Sequence, residues 1–259
     1  MKRILEFVLL LTTACCAVDN VWSAASAGNW STPTNWSLGH APIDGESCVF
    51  DGTSAQNCTV DVDSTCLIYV FRTENQYTGT FNLNSKVLRF SNNLSVVAGW
   101  GGTWTMTGTL RSSGASKVFC SFTVGGNINL SGLIVHFQTD AYLRLVYTSP
   151  RTIARLILTA GKTYQWDYAL TADALTITTA AEGDWDNSIW ECMYPGSTYR
   201  IIAPAGVVVT GLSVTDCYNL GADVTVMSGT DGGGNDGFVF TTPVSPDISF
   251  SVFDFRFSF

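Results

Sequence analysis

From Val60 onward the chain is written in short runs that alternate apolar and polar residues with period two. Thr59-Val60-Asp61-Val62-Asp63, Thr80-Phe81-Asn82-Leu83-Asn84, Thr103-Trp104-Thr105-Met106-Thr107 and Asn127-Ile128-Asn129-Leu130-Ser131 are early examples. Ala174-Leu175-Thr176-Ile177-Thr178, Tyr199-Arg200-Ile201-Ile202 and Asp223-Val224-Thr225-Val226 continue the pattern. Alternation of this kind puts one face of an extended chain in a core and the other in solvent, and Thr, Val and Ile favour the pleated backbone. Gly, Asn, Ser and Asp break the runs, as at Gly99-Trp100-Gly101-Gly102 and Gly125-Gly126-Asn127. Helix signals are nearly absent. The one longer segment, Tyr142 to Gly161, holds Pro150 and many β-branched residues, and reads as two strands and a turn.

An all-β chain of this length forms a sandwich, a closed barrel or a solenoid. The phrase "turn, x-apolar-x-apolar, Gly or Asn" returns around Phe81, Leu94, Trp104, Ile128, Leu156, Leu175 and Val224. Its interval of roughly 20–25 residues suits one solenoid coil per phrase. An irregular β-sandwich would look similar, so the pattern alone leaves both open.

Composition narrows the function classes. The hydrophobic fraction is 46% and the charged fraction only 13%, so a large core is solvated by Ser, Thr, Asn and Gly rather than by ion pairs, as in exported β proteins. The net charge is −8, from 13 Lys and Arg against 21 Asp and Glu, with no basic run. Nucleic acid is therefore not an expected partner, nor is an anionic membrane surface.

Residues 1–17 read as a signal peptide: Lys2 and Arg3 are followed by an apolar stretch, with small residues before a cut after Ala17. Glu6 interrupts that stretch, which is shorter than the about 20 residues of a membrane span. Thr12-Thr13-Ala14-Cys15 is a loose lipobox, so a lipid-anchored Cys15 is an alternative, as is a buried N-terminal strand of an unexported protein. Beyond the segment lie Cys48, Cys58, Cys66, Cys120, Cys192 and Cys217. In an exported chain these permit three disulfides, the first of them among Cys48, Cys58 and Cys66. The competing reading makes them small apolar residues of the interior. No C-x-x-C pair or adjacent histidine points to zinc.

Two phrases bracket the chain. Val21-Trp22-Ser23, Asn29-Trp30, Asn35-Trp36-Ser37, Pro42, Asp44-Gly45-Glu46 and Cys48-Val49-Phe50-Asp51-Gly52 open it. Leu212-Ser213-Val214-Thr215-Asp216-Cys217 and Gly229-Thr230-Asp231-Gly232-Gly233-Gly234-Asn235-Asp236-Gly237-Phe238-Val239-Phe240 close it. Together they resemble the opening and closing phrases of β-helical domains in bacterial secreted surface proteins, autotransporter-like passengers and bacteriophage structural proteins. Glu46, Cys217 and Phe238 depart from the usual Asp, Ser and Trp. The resemblance implies a single-domain right-handed parallel β-helix and no particular activity. The expected organisation is an N-terminal Trp-rich cap and first coil over 18–59, a solenoid body over 60–240, and a linker with an aromatic tail over 241–259.

The candidate sites follow from residue chemistry. Trp22, Trp30 and Trp36 suit a cover for the open first coil, with a sugar-stacking platform as the alternative. Asp61 and Asp63, two apart on an expected strand, are the arrangement of a carboxylate pair that cleaves polysaccharides, without the partners of a sugar cleft. Glu182, Asp184, Asp186 and Glu191 interleave with Trp185 and Trp190; Asp184, Trp185, Asp186 and Trp190 are the candidate carbohydrate contacts, on what also reads as a protruding loop. Asp231, Asn235 and Asp236 offer oxygen ligands for calcium, the one cofactor the sequence brings to mind, although a tight turn accounts for the glycines around them. His40 and His136 are far apart and accompany no nucleophile motif. Asn29, Asn35, Asn57, Asn93 and Asn129 begin N-x-Ser/Thr triplets that chance explains in so polar a chain.

In the tail, Phe250, Phe253, Phe255, Phe257 and Phe259 make an apolar stripe suited to C-terminal packing or to a contact with a neighbouring copy. The expectation is a non-enzymatic structural or adhesive protein, secreted or on a cell surface, with surface glycans or other protein subunits as partners. A virion appendage and a carbohydrate-binding or carbohydrate-cleaving protein are the alternatives.

Overall fold

Asn20, Cys48, Phe71, Leu94, Cys120, Leu143, Trp166 and Cys192 stand one above another, each the backbone-pairing partner of the next. All of them are buried. The step from Cys120 to Leu143 and from Leu143 to Trp166 is 23 residues, one full coil. The computed structural model that shows this describes residues 17–64, 66–73, 77–98, 102–114, 117–124, 127–146, 151–167, 174–194 and 196–242. Residues 1–16 of the expected signal peptide and the phenylalanines of the tail lie outside the described residues.

Every ladder pairing between the strands is parallel, and the coils stack as a β-solenoid. A sandwich is overturned, because its antiparallel hairpins are missing from these ladders. Besides strands, the described residues contain one short 3-10 turn, Pro33–Asn35.

Three hydrogen-bonded sheets form four walls, the largest supplying sheets I and II, which share one strand. Sheet I runs from Asp19–Val21 through Ser47–Phe50, Ile68–Thr73, Val118–Val124, Ala141–Val146, Thr163–Asp167, Ile189–Cys192 and Ser213–Val214 to Thr230–Asp231. Sheet II stacks Gly108–Ser112, Leu133–Phe137, Arg151–Leu158, Leu175–Thr179, Tyr199–Ile202 and Cys217–Asn219. The 13-residue strand Lys86–Ala98 belongs to both: its first half pairs with Gly108–Ser112 and its second half with Val118–Val124. Sheet III, five short strands from Gly28–Asn29 to Asn127–Asn129, bridges sheet I to sheet II in the early coils. Sheet IV appears only in the late coils, where Val208–Thr210, Val224–Met227 and Phe238–Thr241 widen the return from sheet II to sheet I.

The inward columns explain the period-two pattern. Leu88, Leu110, Val135 and Leu156 stack in sheet II, and Phe81 stacks on Trp104 in sheet III with centroids 5.0 Å apart. Burying each such side chain contributes about 1.5–3 kcal/mol, and the stacks join into one continuous core. Thr59–Asp63 departs from its alternation. The strand ends at Thr59, and Asp61 and Asp63 turn out to hold backbone instead.

The return corner from sheet II to sheet I is built on left-handed backbone. Gly161, Asn187, Gly211 and Ser228 have φ of 71°, 52°, 69° and 54°. Hydrogen bonds from Gly161 N to Asn187 O and from Asn187 N to Thr210 O link this corner from coil to coil. Asn tolerates this conformation better than most L residues, which explains the turn residues that punctuate the sequence here.

Candidate functional site

The widening of the solenoid between sheets II and IV creates a groove of about 600 Å³. One wall is the segment from Thr178 to Asp186 and the other runs from Pro204 to Thr210, with Met227 above. The first wall begins with an irregularity in strand Arg151–Leu158: Ala154 and Arg155 both lie outward between buried Ile153 and Leu156. Arg155 thereby reaches Asp184, its Nε donating to Oδ2 (2.7 Å) and its Nη2 to Oδ1 (2.6 Å). The hydrogen bond to Asp184 raises the Arg155 pKa further above its usual value. Asp184 Oδ2 also accepts from Ala181 N (2.8 Å), closing the loop on itself.

Beneath this loop, Trp185 is 1% exposed and Trp190 0%. Their rings meet edge to face with centroids 5.1 Å apart, and their indole N–H groups donate to Leu156 O and Ser188 Oγ. This corrects the carbohydrate-contact expectation at three positions. Trp185 and Trp190 are core side chains with no ring face to offer a sugar, and Asp184 is the buried half of an ion pair. Asp186 does line the groove, where its Oδ1 accepts from Thr210 N (2.8 Å), and Glu182 lines it as well.

The opposite wall escaped the sequence reading. Thr225 N bonds to Val207 O and Gly211 N to Met227 O, so those residues face the neighbouring strand of sheet IV. Thr210 faces the other way, toward Asp186 and Asn187. By the same alternation Val208, 53% exposed, presents its backbone N–H and C=O to the groove, an edge that no other described strand pairs. Its signal in the sequence is Val207-Val208-Val209, an apolar run that violates alternation. The groove offers Thr178 and Thr179 hydroxyls, two carboxylates, apolar Val207 and Val208, and one strand edge. Such a lining holds an extended chain by contacts along its length.

At the front, Trp22, Trp30 and Trp36 are brought together. Trp36 meets Trp22 and Trp30 edge to face at 5.2 and 4.8 Å, and both Trp22 and Trp36 contact Phe50. Trp36 Nε1 donates to Trp30 O and Trp22 Nε1 to Gln56 O. All three rings are buried over the first coil, so none serves as an exposed stacking platform.

The remaining polar candidates hold coils together. Ser31 donates from N and Oγ to the two carboxylate oxygens of Asp61 (3.0 and 2.5 Å). Partial burial works to raise the Asp61 pKa, but these bonds prevail and lower it. Asp63 Oδ1 accepts from Val87 N. In the Gly-rich loop, Asp231 Oδ1 accepts from Gly233 N and Asn235 Nδ2, Asn235 Oδ1 accepts from Cys217 N, and Asp236 Oδ1 accepts from Gly237 N. Those oxygens shape the turn, and a side chain on Gly234 would strike Asp216 Oδ1. Among the described residues no group of three or more His, Cys, Asp and Glu side chains is arranged to hold a metal.

The six described cysteines are free thiols, five of them buried. Burial pushes the Cys48, Cys58, Cys120 and Cys217 thiols well up, the surroundings of small apolar side chains that fill an interior. Among the described residues no helix is long and apolar enough to cross a membrane. Comparison of the chain with family models, with characterised proteins and with solved structures finds no significant match.

Proposed function

We propose that this protein is a non-enzymatic structural or adhesive β-solenoid, secreted or displayed on a cell surface, that works by presenting its outer walls to glycans or other protein subunits. One observation carries the reading. Apart from Glu182, which is exposed on the groove, the acidic side chains of the candidate clusters are bonded to the scaffold: Asp61 to Ser31, Asp63 to Val87, Asp184 to Arg155, Asp186 to Thr210, Glu191 to Gln165, Asp231 to its own turn. A general acid or nucleophile needs a carboxyl group free to reach a substrate, and these bonded ones are tied down by backbone, side-chain amide or guanidinium. The long parallel stack adds a rigid platform, and the bracketing phrases resemble those of surface and bacteriophage structural proteins.

The test is a panel of glycans and polysaccharides offered to the full chain, scored for binding and for new reducing ends or unsaturated products. Binding without turnover is expected. Turnover that disappears in Asp61→Ala or Asp186→Ala would establish a carbohydrate-cleaving enzyme instead. Mass spectrometry of the mature N-terminus addresses display: a chain beginning at Val18 fits export, whereas an intact Met1 favours the virion appendage.

A further inference from the structure

In a chain of net charge −8, sheet II is unlike the rest of the protein. Its strands carry Lys86, Arg89, Arg111, Arg151, Arg155 and Arg200 and contain no Asp or Glu. Backbone pairing sets Arg89 beside Arg111, Arg111 beside His136, and Arg155 beside Ile134 one column over. Leu88, Phe90, Leu110, Val135 and Phe137 occupy the inward positions, so Arg89, Arg111 and His136 stand on the outer surface. Successive rungs are about 4.8 Å apart, a spacing at which like charges repel.

These cations are not equally satisfied. Arg155 is met by Asp184. Arg111 has no ion-pair partner among the described residues, and its buried Nε has no hydrogen-bond partner. Burial first, and then the Arg111 charge, hold the His136 pKa below its usual value, while Asp184 and Arg155 act on it in opposite senses. A half-buried guanidinium without an ion-pair partner among the described residues, beside a second Arg and a His, makes a cationic stretch that attracts an anion from outside.

We infer that the outer face of sheet II binds an acidic polysaccharide, with its carboxylate or sulfate groups seated along the Arg89, Arg111 and His136 column. The forked guanidinium matches a planar carboxylate or a sulfate edge. A column of donors at regular rung spacing suits a polymer that repeats its charge. Around Arg111 the outward neighbours are Thr109, Ile134 and Ile157, which offer no aromatic ring for a nucleobase to stack on. The acidic remainder of the surface confines a polyanion to this wall. This inference rests on the adhesive reading and supplies its ligand class.

The experiment measures binding of the full chain to dextran sulfate, polygalacturonate, neutral dextran and a single-stranded oligonucleotide, at low and high salt. Dextran sulfate or polygalacturonate is expected to bind, more weakly as salt rises, and the stronger of the two identifies sulfate or carboxylate. Neutral dextran is expected not to bind. Arg111→Gln should weaken binding about tenfold or more, and Lys162→Gln, a cation removed from another wall, should leave it unchanged. Arg111→Lys keeps the charge but loses the fork, and an intermediate loss is expected even if Arg111→Gln folds poorly. Equal binding of dextran and dextran sulfate, preference for the oligonucleotide, or full binding by both Arg111 variants would each overturn the inference. Binding of neutral glycans alone would sink this site and leave the adhesive reading intact, whereas cleavage of the bound polymer would remove that reading.

Discussion

Asp184 grips Arg155 with both carboxylate oxygens across one coil, and the carboxylate is 4% exposed while the guanidinium side chain is 34% exposed. The half-open geometry moderates the strength of the pair, but removal of Arg155 would leave a buried carboxylate without its cation. Asp184→Ala is expected to cost about 2–3 kcal/mol in urea unfolding. The double variant Asp184→Ala with Arg155→Met should cost less than the sum of the singles by about 1 kcal/mol. Strict additivity would show that the two residues are not coupled.

Phe50 is the hub of the front of the solenoid. It contacts Trp22, Trp36, Phe71, Tyr77, Phe81 and Trp104 at centroid distances of 5.0 to 6.0 Å. Phe50→Ala should cost about 3–5 kcal/mol and change tryptophan emission early in unfolding, because the rings it supports include three indoles. Phe50→Leu, which keeps most of the volume, should cost less than half as much. Equal losses would mean that shape, and not volume, governs the cluster.

His136 makes stability depend on pH. Its folded pKa lies below the ordinary 6.5 because of burial first and then Arg111. As pH falls below about 6.5 the unfolded chain takes up a proton that the folded chain resists, so stability is present above that pH and is lost as pH drops through the folded pKa. In His136→Gln the fall in melting temperature between neutral and mildly acidic pH should be smaller than in the parent. An unchanged pH dependence would exclude His136 as a contributor.

The thiols make a sharper statement. With all six described cysteines free and five buried, native protein treated with a thiol reagent should react first at half-buried Cys66. Even there the reaction should be slow, since burial raises the Cys66 pKa despite its hydrogen bond with Ser64. Denaturation should expose the rest. A non-reducing peptide map that links any two of Cys48, Cys58 and Cys66 would contradict the free-thiol structure.

Local pattern carried the strands well where burial was one-sided. Thr103-Trp104-Thr105 and Leu175-Thr176-Ile177 lie as their alternation requires, and Tyr142 to Gly161 does divide between two strands. The pattern misled where a polar side chain had a backbone partner one coil away. Asp61 reads as an outward strand residue until Ser31, 30 positions earlier, is placed beside it. Trp185 and Trp190 read as surface aromatics because Glu182, Asp184 and Asp186 surround them, yet Arg155 neutralises Asp184 and leaves the rings to the core.

By itself the sequence determined that this chain is extended throughout, that its strands are one-sided, and that its turns fall at Gly, Asn and Asp. Those are short-range properties, set by side-chain period and allowed backbone angles. Only the tertiary structure decided which coil lies on which. Parallel pairing joins residues a full coil apart, and it placed Val208 at an open edge, widened the late coils with sheet IV, and lined up Arg89, Arg111 and His136. No run of the sequence contains that column, because the solenoid gathers its surface chemistry across coils and not along them.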